Sequence, residues 1–206
     1  AKEKKLTTDP SVVERVKSIG EKIAGVCDRK DIIYHFEVLE DDEVNAFSLP
    51  GGFIYVNREL VDRVDNDSQL AGVIAHEVAH VVAKHSIKKL QAVMGYMLLR
   101  IASIKAAPSE VSQGADFAFN EIMMGYARDD ELLADKLAAR YVKNAGYDPG
   151  EMVKFLAKLK EIDRKKPLRR FSYERTHPFI ADRIVTIKQE LGEPLTFSDY
   201  INITNE

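Results

Sequence analysis

His76-Glu77-Val78-Ala79-His80 sits in an apolar run whose helical spacing extends from about Ser68 to Leu90. Residues four apart on a helix are offset by only about 40°, so the two imidazoles share one face and are close enough to hold one ion. That geometry suits tetrahedral zinc. Glu77 lies one residue past the first histidine, so it flanks such an ion without coordinating it. A carboxylate in that place can take a proton from a water that a metal has acidified. The same residue types also fall together by chance, so the motif needs a third ligand before it carries the argument.

His85 is the tempting third ligand. It follows His76 by nine residues, which at about 100° per residue is about 900°, half a turn away from the first imidazole. Val81-Val82-Ala83-Lys84 contains no glycine to turn the chain back, so His85 is expected to be a helix-surface or packing residue. Further on, Glu131-Leu132-Leu133-Ala134-Asp135 places two carboxylates one helical turn apart on a common face. Glu131 can complete a set of two histidines and a glutamate, and Asp135 can hydrogen-bond the outer nitrogen of a ligating imidazole. Alone, Arg128-Asp129-Asp130-Glu131 also fits an ordinary charged helix surface, and only the histidine pair favours the metal reading.

Working outward, Val12, Val13, Val16, Ile19, Ile23 and Val26 have helical spacing behind Thr8-Asp9-Pro10, predicting a first amphipathic helix from Thr8 to Asp28. Ile32 to Leu39, Val44 to Leu49 and Phe53 to Val56 read as short strands, the last two separated by Pro50-Gly51-Gly52. They predict a small antiparallel sheet. After Asn57 the pattern turns helical: a short helix near Arg58 to Val64, the long one, then Gln91 to Ala106, Val111 to Gly125, Asp129 to Asn144, Pro149 to Asp163 and Pro178 to Leu191. Lys165 to Thr176 reads as a polar loop.

At 206 residues the chain can bury a sizeable core, and a single domain is expected, with a helix-and-sheet part at about 8–56 and a helical part at about 57–192. Hydrophobic residues make up 45% and charged residues 31%, which excludes a disordered chain. A net charge of -3 removes the simplest electrostatic case for nucleic-acid binding. The single cysteine, Cys27, cannot form an intrachain disulfide. No apolar run reaches the length of about 18 residues needed to span a bilayer. Val93 to Ala106 is apolar on more than one face, and core packing accounts for it more simply than peripheral membrane contact.

Taken together, these stretches resemble the Ste24-like, M48 family of zinc metallopeptidases in the gluzincin group. The resemblance rests on Asn45-Ala46-Phe47-Ser48-Leu49-Pro50-Gly51-Gly52, on His76 to His80 continuing to His85-Ser86, on Glu131 to Asp135, and on Thr176-His177-Pro178 followed by Arg183. It implies an α+β, mainly helical, zincin-like metallopeptidase domain whose small N-terminal antiparallel sheet borders an active-site cleft with its edge strand. It implies one Zn2+ per chain on His76, His80 and Glu131, with Asp135 behind a ligating imidazole and Glu77 as general base. His177 would then hydrogen-bond the substrate oxyanion, a role that the residues by themselves leave open. Asn45, Ala46 and Phe47 would bind an extended peptide or unfolded protein through edge-strand hydrogen bonds. The family expectation is an exported, periplasmic metalloendopeptidase of the branch without spanning helices, engaged in quality control of envelope proteins. Two alternatives stand beside it: a latent protease acting as a chaperone-like binding module, with the helices after Leu90 over the cleft, and a helical protein with a purely structural zinc.

Overall fold

A computed structural model describes residues 5–104, 128–165 and 176–195. The expected helix at Val111 to Gly125 and most of the expected loop at Lys165 to Thr176 lie outside the described residues. Helix α1 (Pro10–Val26) begins where Asp9 accepts a hydrogen bond from the Ser11 amide and Pro10 opens the first turn. Its apolar stripe, Val12, Val16, Ile19 and Ile23, is buried against helix α3 (Asp67–Val82) and strand β1 (His35–Leu39).

Strands β2 (Ala46–Leu49) and β3 (Phe53–Asn57) form the hairpin that the Pro-Gly-Gly punctuation marks. Gly51 and Gly52 have φ of 96° and 94°, and a Cβ at Gly52 would run into the Ile33 carbonyl oxygen. The sheet is nevertheless mixed rather than antiparallel, because its order is β1-β3-β2 and β1 runs parallel to β3. Ile54 and Val56 are fully buried, so β3 takes the central position, while the less buried β2 is left at the edge. The side chain of Asn57, donating to the Glu43 carbonyl at 3.0 Å, pins the loop that makes this crossing.

Helix α2 (Arg58–Arg63) leads into α3, which Asn66 caps by accepting from the Gln69 amide. From Gln69 to Val81 every residue of α3 is buried, as expected of a helix enclosed on all sides. It packs against α1, β2, β3 and helix α6 (Gly150–Lys165), and α6 packs in turn on α7 (Ile180–Leu191). Residues 128–144 are also helical and are designated α5.

The expected continuous helix from Ser68 to Leu90 is broken. Lys84 adopts a left-handed φ of 60°, α3 stops at Val82, and a new helix, α4 (His85–Ile104), starts at His85. Such a conformation costs a residue with a Cβ about 1–2 kcal/mol. Within the segment Val93 to Ala106, expected to pack in the core, Met94 is 56% and Leu98 68% exposed, and with Leu90 they form an outward apolar stripe at i, i+4, i+8; residues 105–106 lie outside the described residues. Among the described residues, no helix is long and apolar enough to cross a membrane.

Candidate metal centre

Helix α3 carries His76 and His80, α5 carries Glu131, and the segment entering α7 carries His177; all four are buried and each offers a donor atom within 4.8 Å of the others. His76 Nε2 lies 3.0 Å from His80 Nε2 and 3.1 Å from Glu131 Oε2, and His80 Nε2 lies 3.2 Å from Glu131 Oε1. Zinc bonds of about 2.0–2.1 Å in a tetrahedron put ligand atoms about 3.3 Å apart, so these spacings fit one ion. His177 Nδ1 completes the group at 3.3 Å from His76 Nε2 and 3.2 Å from both Glu131 oxygens.

The outer nitrogens of both helix histidines are engaged. His76 Nδ1 meets Asp135 Oδ1 at 2.8 Å, which assigns the proton to Nδ1 and turns the Nε2 lone pair toward the group centre. Asp135 is gripped in turn by Arg183, whose Nε and Nη2 donate to its two oxygens at 2.8 and 2.9 Å. Arg183 is itself only 1% exposed, and Nη1 reaches the His177 carbonyl at 3.4 Å. His80 Nδ1 meets His85 Nδ1 at 2.8 Å.

Electrostatics follow from this packing. Burial works against a charge on His76, but the Asp135 and Glu131 carboxylates outweigh it and raise the imidazole to about 9 among the protein groups alone. Burial lowers His80 despite the hydrogen bond it can donate to Glu131. Burial would raise Glu131, yet His177 and His76 hold it well below the usual carboxylate range. Asp135 is likewise lowered against its burial, chiefly by Arg183. Burial takes His85 down to about 3 and Asp130 up to about 6.

Glu77 is 1% exposed, and among the described residues no donor meets its Oε1 in hydrogen-bond geometry, although His177 Nε2 stands 3.3 Å away. A buried carboxylate oxygen in this state can accept a hydrogen bond from a water. Beside it opens a cleft of about 440 Å³ whose walls are Phe47, Leu49 and Pro50 on one side and Leu90 and Val93 on the other, with Lys89 at the rim.

Edge strand β2 borders that cleft. Asn57 donates to the Asn45 carbonyl at 2.9 Å, so alternate residues 45, 47 and 49 bond to β3, and the backbone groups of Ala46 and Ser48 face away from it. Those outward groups have local partners: the Ala46 amide donates to Asn45 Oδ1 at 3.0 Å, His177 Nε2 is 3.3 Å from the Ala46 carbonyl, and Ser86 Oγ donates to the Ser48 carbonyl at 3.2 Å. Asn45 also accepts from Thr176 Oγ1 at 3.0 Å, so it points inward and ties the His177 segment to the strand. Phe47 lines the cleft and stacks on Tyr55 at 5.2 Å.

The profile of Peptidase family M48 matches residues 10–191, nearly the whole described fold and every residue of the cluster. The chain belongs to family M48. Among similar proteins, the Beta-barrel assembly-enhancing protease of Escherichia coli (strain K12) is 28% identical over 165 residues, 75% of this chain and 34% of that protein. Mitochondrial metalloendopeptidase OMA1 of Schizosaccharomyces pombe is 29% identical over 182 residues, covering 86% of this chain and 52% of that protein. Metalloprotease YcaL of Escherichia coli (strain K12) is 26% identical over 162 residues, 77% of this chain and 62% of that protein. The chain thus spans about a third to under two thirds of these relatives.

In this M48 chain the structure brings His76, His80, Glu131 and Asp135 together as the sequence spacing grouped them, with Glu77 alongside; His177, which only the family resemblance placed at the site, lies with its Nδ1 in the same donor group. His85 differs: it is neither on the helix surface nor turned away, but 1% exposed and in contact with His80. Its half-turn argument assumed an unbroken helix, and the left-handed Lys84 removes that assumption. Arg183 and Asp130 had no role assigned from sequence; a charged residue one turn into a helix gives no sign of burial by itself, and only the Thr176-His177-Pro178 context marked Arg183 at all.

Proposed function

We propose that this M48 chain is a zinc-dependent endopeptidase of the gluzincin, Ste24-like type, with residues 10–191 forming one catalytic domain. The observation that carries the reading is the convergence of His76, His80 and Glu131, from two separate helices, on spacings that suit one zinc ion. When bound, zinc would polarise the scissile carbonyl and make water acidic enough to attack near neutral pH. Glu77 takes the proton of the attacking water on Oε1 and passes it to the departing amine, so no covalent intermediate with the protein forms. Asp135, held by Arg183, keeps His76 in the tautomer that presents Nε2. His177 donates from Nε2 to the developing oxyanion.

The substrate is an extended segment of peptide or unfolded protein, taken up along β2 as its backbone replaces the local contacts that Asn45, His177 and Ser86 make to the outward groups of Ala46 and Ser48, with Phe47 in the cleft wall. Main-chain pairing of this kind reads few side chains and suits broad specificity. A role in quality control of exported or envelope proteins is supported by the relative named for β-barrel assembly. Digestion of casein or another denatured protein, with and without chelator, tests the activity: chelator-sensitive cleavage by the parent and none by Glu77→Gln with zinc retained is expected. Undiminished turnover in Glu77→Gln would falsify the assigned base.

A second reading, a latent protease acting as a chaperone-like binding module, is favoured by one observation: His177 Nδ1 joins the other three donors. A fourth protein ligand would close the position that substrate needs. One imidazole cannot fill that position and bind the oxyanion at once, so the readings predict opposite signs for His177→Ala. Hydrolysis falls if His177 assists the reaction and rises if it blocks it.

A further inference from the structure

We infer that His85 and Asp130 form an outer relay that orients His80 toward the metal, as Asp135 and Arg183 orient His76. The inference rests on the metal reading above and goes beyond it by assigning two residues that the reading leaves idle. His80 Nδ1 and His85 Nδ1 are 2.8 Å apart, and His85 Nε2 is 3.0 Å from Asp130 Oδ1. For Nε2 of His80 to offer its lone pair to a cation, its proton must sit on Nδ1, and the atom facing that proton is Nδ1 of His85. His85 therefore accepts on Nδ1, carries its own proton on Nε2, and presents that proton to the Asp130 carboxylate.

Three independent features favour this over simple packing. First, His85 and Asp130 are 1% and 5% exposed, and a leucine would fill such space without the cost of burying polar atoms. Second, His85 Nε2 and Asp130 Oδ2 lack an aligned hydrogen-bond partner among the described residues, although Nε2 is already at contact distance from Oδ1, so a small ring rotation closes the pair. Third, His85 reaches His80 only because Lys84 takes a left-handed conformation, a backbone strain that packing alone does not require. The relay also accounts for the order Asp130-Glu131 in α5: the residue beside the carboxylate ligand secures the opposite flank of the same ion.

The test is zinc affinity of the full chain, measured by competition with a chromophoric chelator, beside the melting temperature of the metal-free protein and the visible spectrum of the cobalt(II) form. His85→Leu is expected to weaken zinc binding about 10–100-fold, the usual effect of losing such a partner. His85→Asn, whose amide oxygen stands where Nδ1 was, recovers most of the affinity and the parent cobalt spectrum. Asp130→Ala weakens binding in the parent background but adds little to His85→Leu, since the two act in series. Parent-like affinity in His85→Leu, equal losses in the Leu and Asn variants, or additive losses with Asp130→Ala would each overturn the relay, as would affinity losses that only track the metal-free melting temperature. Should His85→Leu fail to fold, the Asn and Asp130 variants decide. A parent chain that takes up no zinc removes the metal reading and the relay together, whereas tight binding by parent and His85→Leu alike removes the relay alone.

Discussion

The floor and the rim of the cleft are built on opposite terms. On the floor, His76, Glu131, Asp135 and Arg183 are each about 1% exposed or less and locked to one another by charge-assisted hydrogen bonds. On the rim, Leu49 and Leu90 are 44% and 52% exposed, and the Ser86 hydroxyl bridges α4 to β2 by donating to the Ser48 carbonyl. The floor has one arrangement, because moving any member strands a buried charge. The rim can yield without such a cost. The contrast teaches that the buried polar cluster is fixed in place while the margin of the cleft is free to adjust.

The largest effect should come from removing a floor ligand. Glu131→Ala is expected to lose stoichiometric zinc by elemental analysis and all chelator-sensitive hydrolysis; full zinc in that variant would break the contrast at once. Next, Glu77→Gln should keep its zinc and lose about 10²–10⁴ in turnover, the usual worth of a positioned acid-base group. Arg183→Leu leaves the Asp135 carboxylate buried without its cation, and a loss of about 3–5 kcal/mol in chemical denaturation is expected. A loss below about 1 kcal/mol, typical of an exposed pair, would mean that the floor is less rigid than its packing indicates.

A smaller effect belongs to pH. His76 is held at about 9 against 6.5 for the free group, so its contribution to metal-free stability is whole below 6.5 and disappears as pH rises through about 9. The metal-free melting temperature should therefore fall over that interval, while zinc affinity, which requires the proton to leave, strengthens. Flat curves in both measurements would show that the Asp135 contact does not govern His76. Smallest of all, Leu90→Ala at the rim should raise KM for a denatured substrate less than tenfold, since a half-exposed apolar contact is worth under about 1.4 kcal/mol, and leave zinc content unchanged.

Much of this was legible in the order of residues. The period of the apolar residues in α1, the Pro-Gly-Gly turn between β2 and β3, and the i, i+4 histidines are local patterns, and local patterns report local geometry. Glu131 and Asp135 could be paired with the histidines because chemistry demanded a third ligand and one turn of helix supplied both carboxylates. Tertiary structure alone decided which strand lies in the middle of the sheet: β3, with Ile54 and Val56 fully buried, pairs with both neighbours, and so β1 came to run parallel to β3. It alone decided that a lysine would leave helical space at residue 84 and swing His85 onto His80, since no local propensity favours that conformation and only the hydrogen bonding and burial of His85 beneath the site can hold it. Burial of Arg183 is of the same kind: a charge enters the core only where a carboxylate from another helix is waiting, and nothing in its own neighbourhood announces that partner.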